Sequence, residues 1–258
     1  MGIRGLTRWL RERCPRGVTW SPDLATLYGE RGPTPVAVDV SIFLYRWSYR
    51  GHPARGLYRQ LTEYQRLGLA PVYVWDGRRP HYKHPPAPRH PTRPQVRAYP
   101  TQAAAQIRGL LQDLEVTSVQ APGEADLVLA GLSRSGQVAV IHSDDSDMIV
   151  RGCTETITHA RGGGYWHYHL PTLLQELGWS LETLVRTSVL MGCDYHHLRH
   201  TPTQAATILS SARYPPGFHR ACHRLRETVP VAVEPRHLDH LTEERWRWAW
   251  ERQGLPKE

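Results

Sequence analysis

Four short apolar runs punctuate the first half of the chain: "PVAVD" (35–39), "APVYVWD" (70–76), "EVTSVQAP" (115–122) and "QVAVIHSDD" (137–145). They are rich in valine and nearly continuous in apolarity. Parallel strands covered on both faces read this way, whereas half-exposed strands alternate. Helical periodicity fills the intervals at 41–50, 57–67, 101–114 and 124–134. This alternation predicts an α/β fold, a mainly parallel central sheet flanked by helices. Beyond residue 170 the patterns are helical throughout: "PTLLQELG", "LETLVRTSVLMG", "PTQAATILSSA" and "HLTEERWRWAWERQG". A helical C-terminal part is expected, with 1–100 and 101–258 forming two regions of one domain.

One stretch fits neither period. Residues 84–100, "HPPAPRHPTRPQVRAYP", hold six prolines together with Arg89, Arg93 and Arg97. Proline removes backbone donors and clashes with the preceding helical turn, so an extended basic loop is predicted. It reads equally as a linker and as a strip of phosphate contacts.

The apolar runs share an ending. The first closes on Asp39, the second on Asp76, and the fourth on Asp144 and Asp145, with Asp147 just beyond. The third runs into "APGEAD", which sets Glu124 and Asp126 at a helix start. Aspartates after a strand usually mark solvated turns. In a parallel sheet, however, the carboxyl ends of the strands share one edge, where ligands bind. Asp39, Asp76, Glu124, Asp126, Asp145 and Asp147 would then crowd into one cleft, and a cation is the usual means of holding like charges together. An all-oxygen set suits two Mg²⁺ ions, with Mn²⁺ able to substitute, and such a pair serves phosphodiester hydrolysis.

Charge agrees with that chemistry. The chain carries 32 lysines and arginines against 24 acids in 258 residues, a balance compatible with a nucleic-acid partner. Only Lys83 and Lys257 are lysines, so Lys83 is conspicuous in a chain that otherwise uses arginine. No apolar run is long enough to span a membrane or resembles a signal peptide, and a soluble intracellular protein is expected. Cys14, Cys153, Cys193 and Cys222 form no CxxC pair and read as free thiols in a reducing compartment. Cys193 with His196 and His219 with Cys222 have zinc-ligand spacing, but 15 histidines generate such spacings by chance.

The ordered blocks "MGIRGLTRWL", "VAVDVSIFLY", "PVYVWDGRRPHYK", "APGEADLVLAGL", "HSDDSDMIV" and "LMGCDYHHL" resemble those of the flap endonuclease family of structure-specific 5′ nucleases. The resemblance spans roughly residues 1–210. It implies that Asp39, Asp76, Glu124, Asp126, Asp145, Asp147 and Asp194 are the metal-binding carboxylates, with Asp144 a neighbour. It implies catalytic roles at the phosphate for Lys83 and for Arg89, which lies beside His90. Gly2, Tyr45, Arg93 and Arg97 are the expected nucleic-acid contacts, Tyr45 by stacking on a base. The implied reaction is two-metal hydrolysis of branched or 5′-ended DNA by a monomer, in repair or replication.

Three departures qualify that picture. The Pro-rich loop stands where the family often has a helical arch. "RHTPTQ" follows "GCDY" in place of a glycine-bearing hairpin, so a degenerate helix-hairpin-helix is expected near 194–212. No segment resembles a sliding-clamp-binding tail. An endoribonuclease on the same scaffold, of the viral host-shutoff type and acting on RNA, is the principal rival reading. A non-catalytic nucleic-acid-binding protein is the second, although no acidic position is lost. A small-molecule phosphatase is the third, and the aromatic, basic loop counts against it.

Overall fold

The computed structural model describes residues 2–29, 32–49, 51–77, 101–211 and 213–255. Its centre is a seven-stranded sheet: β1 (Val18–Ser21), β2 (Thr34–Asp39), β3 (Leu69–Trp75), β4 (Ser118–Gln120), β5 (Val140–His142), β6 (Glu155–His159) and β7 (Tyr165–His169). The spatial order is β1-β7-β6-β5-β2-β3-β4. Strands β6, β5, β2, β3 and β4 run parallel, while β7 pairs antiparallel with both β6 and β1. The expected α/β fold with a mainly parallel sheet is therefore present, and its edge on one side is antiparallel.

Strand β3 is buried along its whole length, and the two-residue side-chain period divides it between two cores. Tyr73 and Trp75 join Val36 and Val38 on one face, packed under α3 (Val40–Tyr49), α4 (Pro53–Arg66), α5 (Thr101–Asp113) and α12 (Glu243–Arg252). Val72 and Val74 join Ala37 and Ile141 on the other face, under α6 (Ala125–Arg134). The continuous apolarity of these runs thus serves two faces at once.

A third core lies beyond the sheet. Leu6 and Leu10 of α1 (Leu6–Arg13) pack there with Leu173 of α8 (Leu170–Leu177), Val185 and Val189 of α9 (Leu181–Met191), and Ala205 of α10 (Pro202–Ser211). Phe218, Ala221 and Leu225 of α11 (Phe218–Arg226) close it. Two short helices, α2 (Leu24–Tyr28) and α7 (Asp147–Val150), complete the described elements.

Several boundaries depart from the sequence reading. Strands β4 and β5 are only three residues each, so the third and fourth runs are mostly loop. Strands β1, β6 and β7 carry no apolar run: "ETITH" and "YWHYH" mix threonine, histidine and aromatics. Gly162, Gly163 and Gly164 join β6 to β7, all at positive φ (91°, 111° and 75°), a backbone region that glycine enters without penalty. Between α9 and α10 the chain turns through Gly192 (φ 105°), where a Cβ would strike the Leu198 carbonyl.

Candidate metal centre

Because β5, β2, β3 and β4 are adjacent and parallel, their carboxyl ends lie on one edge of the sheet. Asp39 is the last residue of β2, and Asp76 follows β3 directly. Glu124 is the N-cap residue of α6 and Asp126 lies in its first turn. Asp145 and Asp147 follow β5, the latter opening α7. Asp194 comes from the turn after α9.

Electrostatics tie these side chains together. Burial, and then the charges of Asp126, Asp76 and Asp145, push the Asp39 carboxyl well above the usual carboxylate range. Burial and the charge of Asp145 do the same to Asp147, reinforced by Asp126 and Asp194 and opposed by Arg151. All seven carboxylates except Glu124 enter these two sums, and Glu124 joins through Tyr195, whose hydroxyl donates to its Oε2 at 3.0 Å.

Serines set the orientation of the first pair. Asp39 accepts from the Ser41 amide (3.1 Å) and the Ser143 hydroxyl (2.9 Å). Asp76 accepts from the Ser41 hydroxyl (2.5 Å) and the Ala125 amide (2.8 Å). Asp145 accepts from the Asp147 amide (3.1 Å), whereas Asp147 Oδ1 is buried without a partner among the described residues. The N-terminal segment closes over this loop: the Ile3 amide donates to Ser146 Oγ (2.8 Å), and Gly2 packs against Ser146 and Asp145 at φ 93°.

Asp144 is turned away from the others. It pairs with Arg46 and accepts from the His159 amide (2.8 Å), with His159 Nδ1 at 3.1 Å. Burial would raise its carboxyl, but the bonds and charge of His159, followed by Arg46, hold it at about 2.

The donor set fits a hard divalent cation. It is all oxygen, its charges repel one another, and one buried carboxylate oxygen lacks any donor. Among the described residues, no group of three or more His, Cys, Asp or Glu side chains is placed to hold a metal ion. Of the Cys/His spacing, Cys193 and His196 form a backbone bridge (3.0 and 3.1 Å) and His196 Nε2 meets the Pro216 carbonyl at 2.9 Å; among the described residues they form no group of three ligands.

Tyr45 is 41% exposed on α3, the helix that begins directly after Asp39. Lys83, Arg89, Arg93 and Arg97 lie outside the described residues. No described helix is long and apolar enough to cross a membrane. Sequence reading passed over Ser41, Ser143, Tyr195 and Arg151. The two serines stand two residues from Asp39 and Asp145, a spacing that could have drawn notice, and Arg151 sits conspicuously after the apolar "MIV".

Residues 115–194 match the XPG I-region. A Danio rerio protein described as "Probable flap endonuclease 1 homolog" is 30% identical over 177 residues, covering 62% of this chain and 50% of that one. Flap endonuclease 1 of Homo sapiens is 24% identical over 239 residues, covering 76% and 62%. The chain thus spans between half and about three fifths of these relatives. Human GEN1 bound to Holliday junction DNA superposes with a TM-score of 0.72 at 17% identity, covering 99% of this chain and 74% of that one. Flap endonuclease-1 of Methanococcus jannaschii gives 0.61 at 16% identity, covering 83% of each. These two likenesses concern the fold; beside them stand the match of residues 115–194 to the XPG I-region and the likeness to the flap endonuclease 1 relatives.

Proposed function

We propose that this chain is a divalent-metal-dependent, structure-specific 5′ nuclease that hydrolyses phosphodiester bonds in DNA. The observation that carries the reading is the arrival of Asp39, Asp76, Glu124, Asp126, Asp145 and Asp147 at the carboxyl edge of one parallel sheet, with Asp39, Glu124, Asp145 and Asp147 buried. A folded chain gains nothing from such crowding unless a cation offsets it. Asp39, Asp76, Glu124, Asp126, Asp145, Asp147 and Asp194 would hold two Mg²⁺ ions. When bound, these supply charge neutralisation at the scissile phosphate and activation of the attacking water.

The chain's own groups then have separable tasks. Ser41 and Ser143 orient Asp39 and Asp76, so the first carboxylates are aimed before a ligand arrives. Gly2 lets the N-terminal segment lie against Asp145, which narrows the cleft. Tyr45 offers an exposed ring for a base near the cut. Lys83 would hold charge developing on the phosphate, and Arg89, Arg93 and Arg97 would contact the backbone. Support for DNA as the substrate comes from the relatives' descriptions as flap endonucleases and from Rad2 and GEN1, solved with DNA.

The test is single-turnover cleavage of a 5′-flap DNA and a sequence-matched RNA in Mg²⁺, by the wild type and by Asp145→Asn. The expectation is flap cleavage by the wild type and none by the variant. RNA cut in preference to DNA would replace the substrate assignment, and full activity in Asp145→Asn would overturn the metal centre.

A further inference from the structure

His142 is 1% exposed, and its Nε2 is buried with no partner among the described residues. It ends β5 and, by the two-residue period, faces the α3–α4 side of the sheet as Val140 does. With the Tyr64 hydroxyl donating to Nδ1 at 2.5 Å, the neutral ring keeps its proton on Nε2, a donor that lacks an acceptor. The same residue lines a cleft of about 340 Å³ between α3, α4 and the β6–β7 hairpin.

The floor of this cleft is aromatic. Phe43 meets His142 edge-on with ring centres 4.7 Å apart, His142 stacks on His159 at 5.0 Å, and Tyr165 leans on His159 at 5.0 Å. Trp47 makes the wall beside them, and it lies against α4 because residue 56 is glycine, where a Cβ would strike the indole. The mouth is basic. Arg55 and Arg59 stand one turn apart on one face of α4 and line the cleft together with Arg46. His52 is the N-cap residue of that 14-residue helix and makes no side-chain cap bond, so the positive end of α4 opens here as well. Glu63 is the one acid among the described lining residues.

We propose that this cleft is a second ligand site, built for a single nucleoside monophosphate. The base stacks on the aromatic floor and accepts from His142 Nε2, while the phosphate lies against Arg55, Arg59 and the start of α4. Pockets for small ligands have this size and this division, a mostly apolar lining with a few fixed polar groups. A free nucleotide fits better than one residue of a strand. Past Arg46 and Tyr165 the cleft opens into a hollow of about 470 Å³ that holds Asp23 and Glu63, where the next phosphate of a strand would meet like charge. None of the seven metal-centre carboxylates lines the cleft, so the site stands independently of the nuclease reading. A nucleoside monophosphate is also the smallest product of phosphodiester hydrolysis, a ligand that the proposed reaction itself supplies.

The experiment is isothermal titration calorimetry of the full chain with deoxyadenosine monophosphate in chelator, so that the metal centre takes no part. Deoxyadenosine and inorganic phosphate are titrated separately as the two halves of the ligand. The proteins are the wild type, His142→Phe and the double variant Arg55→Ser with Arg59→Ser, each with a thermal melt. The wild type should bind one nucleotide per chain. The arginine double variant should bind it on the order of 10- to 100-fold more weakly, the weight of charge-assisted hydrogen bonds, and should bind deoxyadenosine as the wild type does. His142→Phe keeps the stack and removes the donor. It should weaken the nucleotide and deoxyadenosine alike by about 3- to 10-fold and leave inorganic phosphate unchanged. No binding by the folded wild type, or undiminished affinity in the arginine double variant, would overturn the site. If His142→Phe does not fold, the two exposed arginines decide alone. A single-stranded oligonucleotide that displaces the bound nucleotide at a lower concentration than deoxyadenosine monophosphate itself would overturn the free-nucleotide assignment and give the cleft to a strand.

Discussion

A Cβ built on Gly2 would stand 2.6 Å from Oδ1 of Asp145, so the second residue of the chain touches a carboxylate 143 positions away. Gly2 also sits at φ 93°, a conformation L side chains rarely adopt. Gly2→Ala must therefore relieve both a backbone penalty of roughly 1–2 kcal/mol and the overlap with Ser146 and Asp145. The N-terminal segment should lift from the loop and leave Asp145 misplaced. Single-turnover cleavage is expected to fall by about tenfold or more, since each 1.4 kcal/mol is a factor of ten, with the global fold unchanged by far-UV circular dichroism. Wild-type cleavage by Gly2→Ala would mean the contact has no catalytic weight.

Asp147 tests the cost of crowding. Its carboxyl is raised by burial and by Asp145, Asp126 and Asp194, so the folded chain holds a proton that the unfolded chain releases near pH 4. Folding stability is then complete below that pH and falls as pH rises through the elevated folded value. In chelator, the melting temperature should decline across that range, and Mg²⁺ should flatten the decline. Asp147→Asn keeps the shape, removes the charge and offers an amide donor to the neighbouring carboxylates. It should melt higher than the wild type in chelator, by about 2–4 °C per kcal/mol of relieved repulsion. A lower melting temperature would show that repulsion is not what the site stores.

On the opposite flank, His142 is 1% exposed, with Nδ1 at 2.5 Å from the Tyr64 hydroxyl and its ring stacked 5.0 Å from His159. Burial, followed by the charge of His159, holds its pKa well below the ordinary histidine value. The sign is opposite to that of Asp147. A neutral buried imidazole contributes stability that is present above the unfolded pKa of about 6.5 and lost as pH falls through the folded value. The wild type should lose melting temperature on acidification below pH 6.5, and His142→Gln should lose less over the same interval. Parallel curves for the two proteins would remove His142 from the account.

Legibility from sequence followed burial. Strands β2 and β3 announced themselves because both their faces are covered, so their central residues had to be apolar. The hairpin β6–β7 did not, since threonine, histidine and tyrosine give neither a clean alternation nor a continuous run. Asp39 and Asp76 followed from strand ends and parallel topology alone. Asp194 did not, because it arrives from the turn after α9 and only the family resemblance marked it. Arg151 was hidden by its context, an arginine whose partners are 44 and 73 positions away. Long-range pairing of that kind leaves no local period.

Tyr45 separates binding from folding. It is 41% exposed on α3, six positions after Asp39, whereas Phe43, Leu44 and Trp47 of the same helix are buried in the core beneath. If the ring stacks on a base, Tyr45→Ala should weaken DNA affinity by roughly 1–3 kcal/mol, about 5- to 150-fold, because each stacked base is worth that much. Tyr45→Phe should bind like the wild type, since the π face rather than the hydroxyl makes the contact. Neither change should move the melting temperature by more than about 1–2 °C, as surface substitutions typically stay within 0.5 kcal/mol. The measurement is fluorescence anisotropy on a 5′-flap DNA in Ca²⁺, alongside a melt of each variant. Unchanged affinity with a lowered melting temperature in Tyr45→Ala would make Tyr45 a packing residue and leave the base near the cut without its platform.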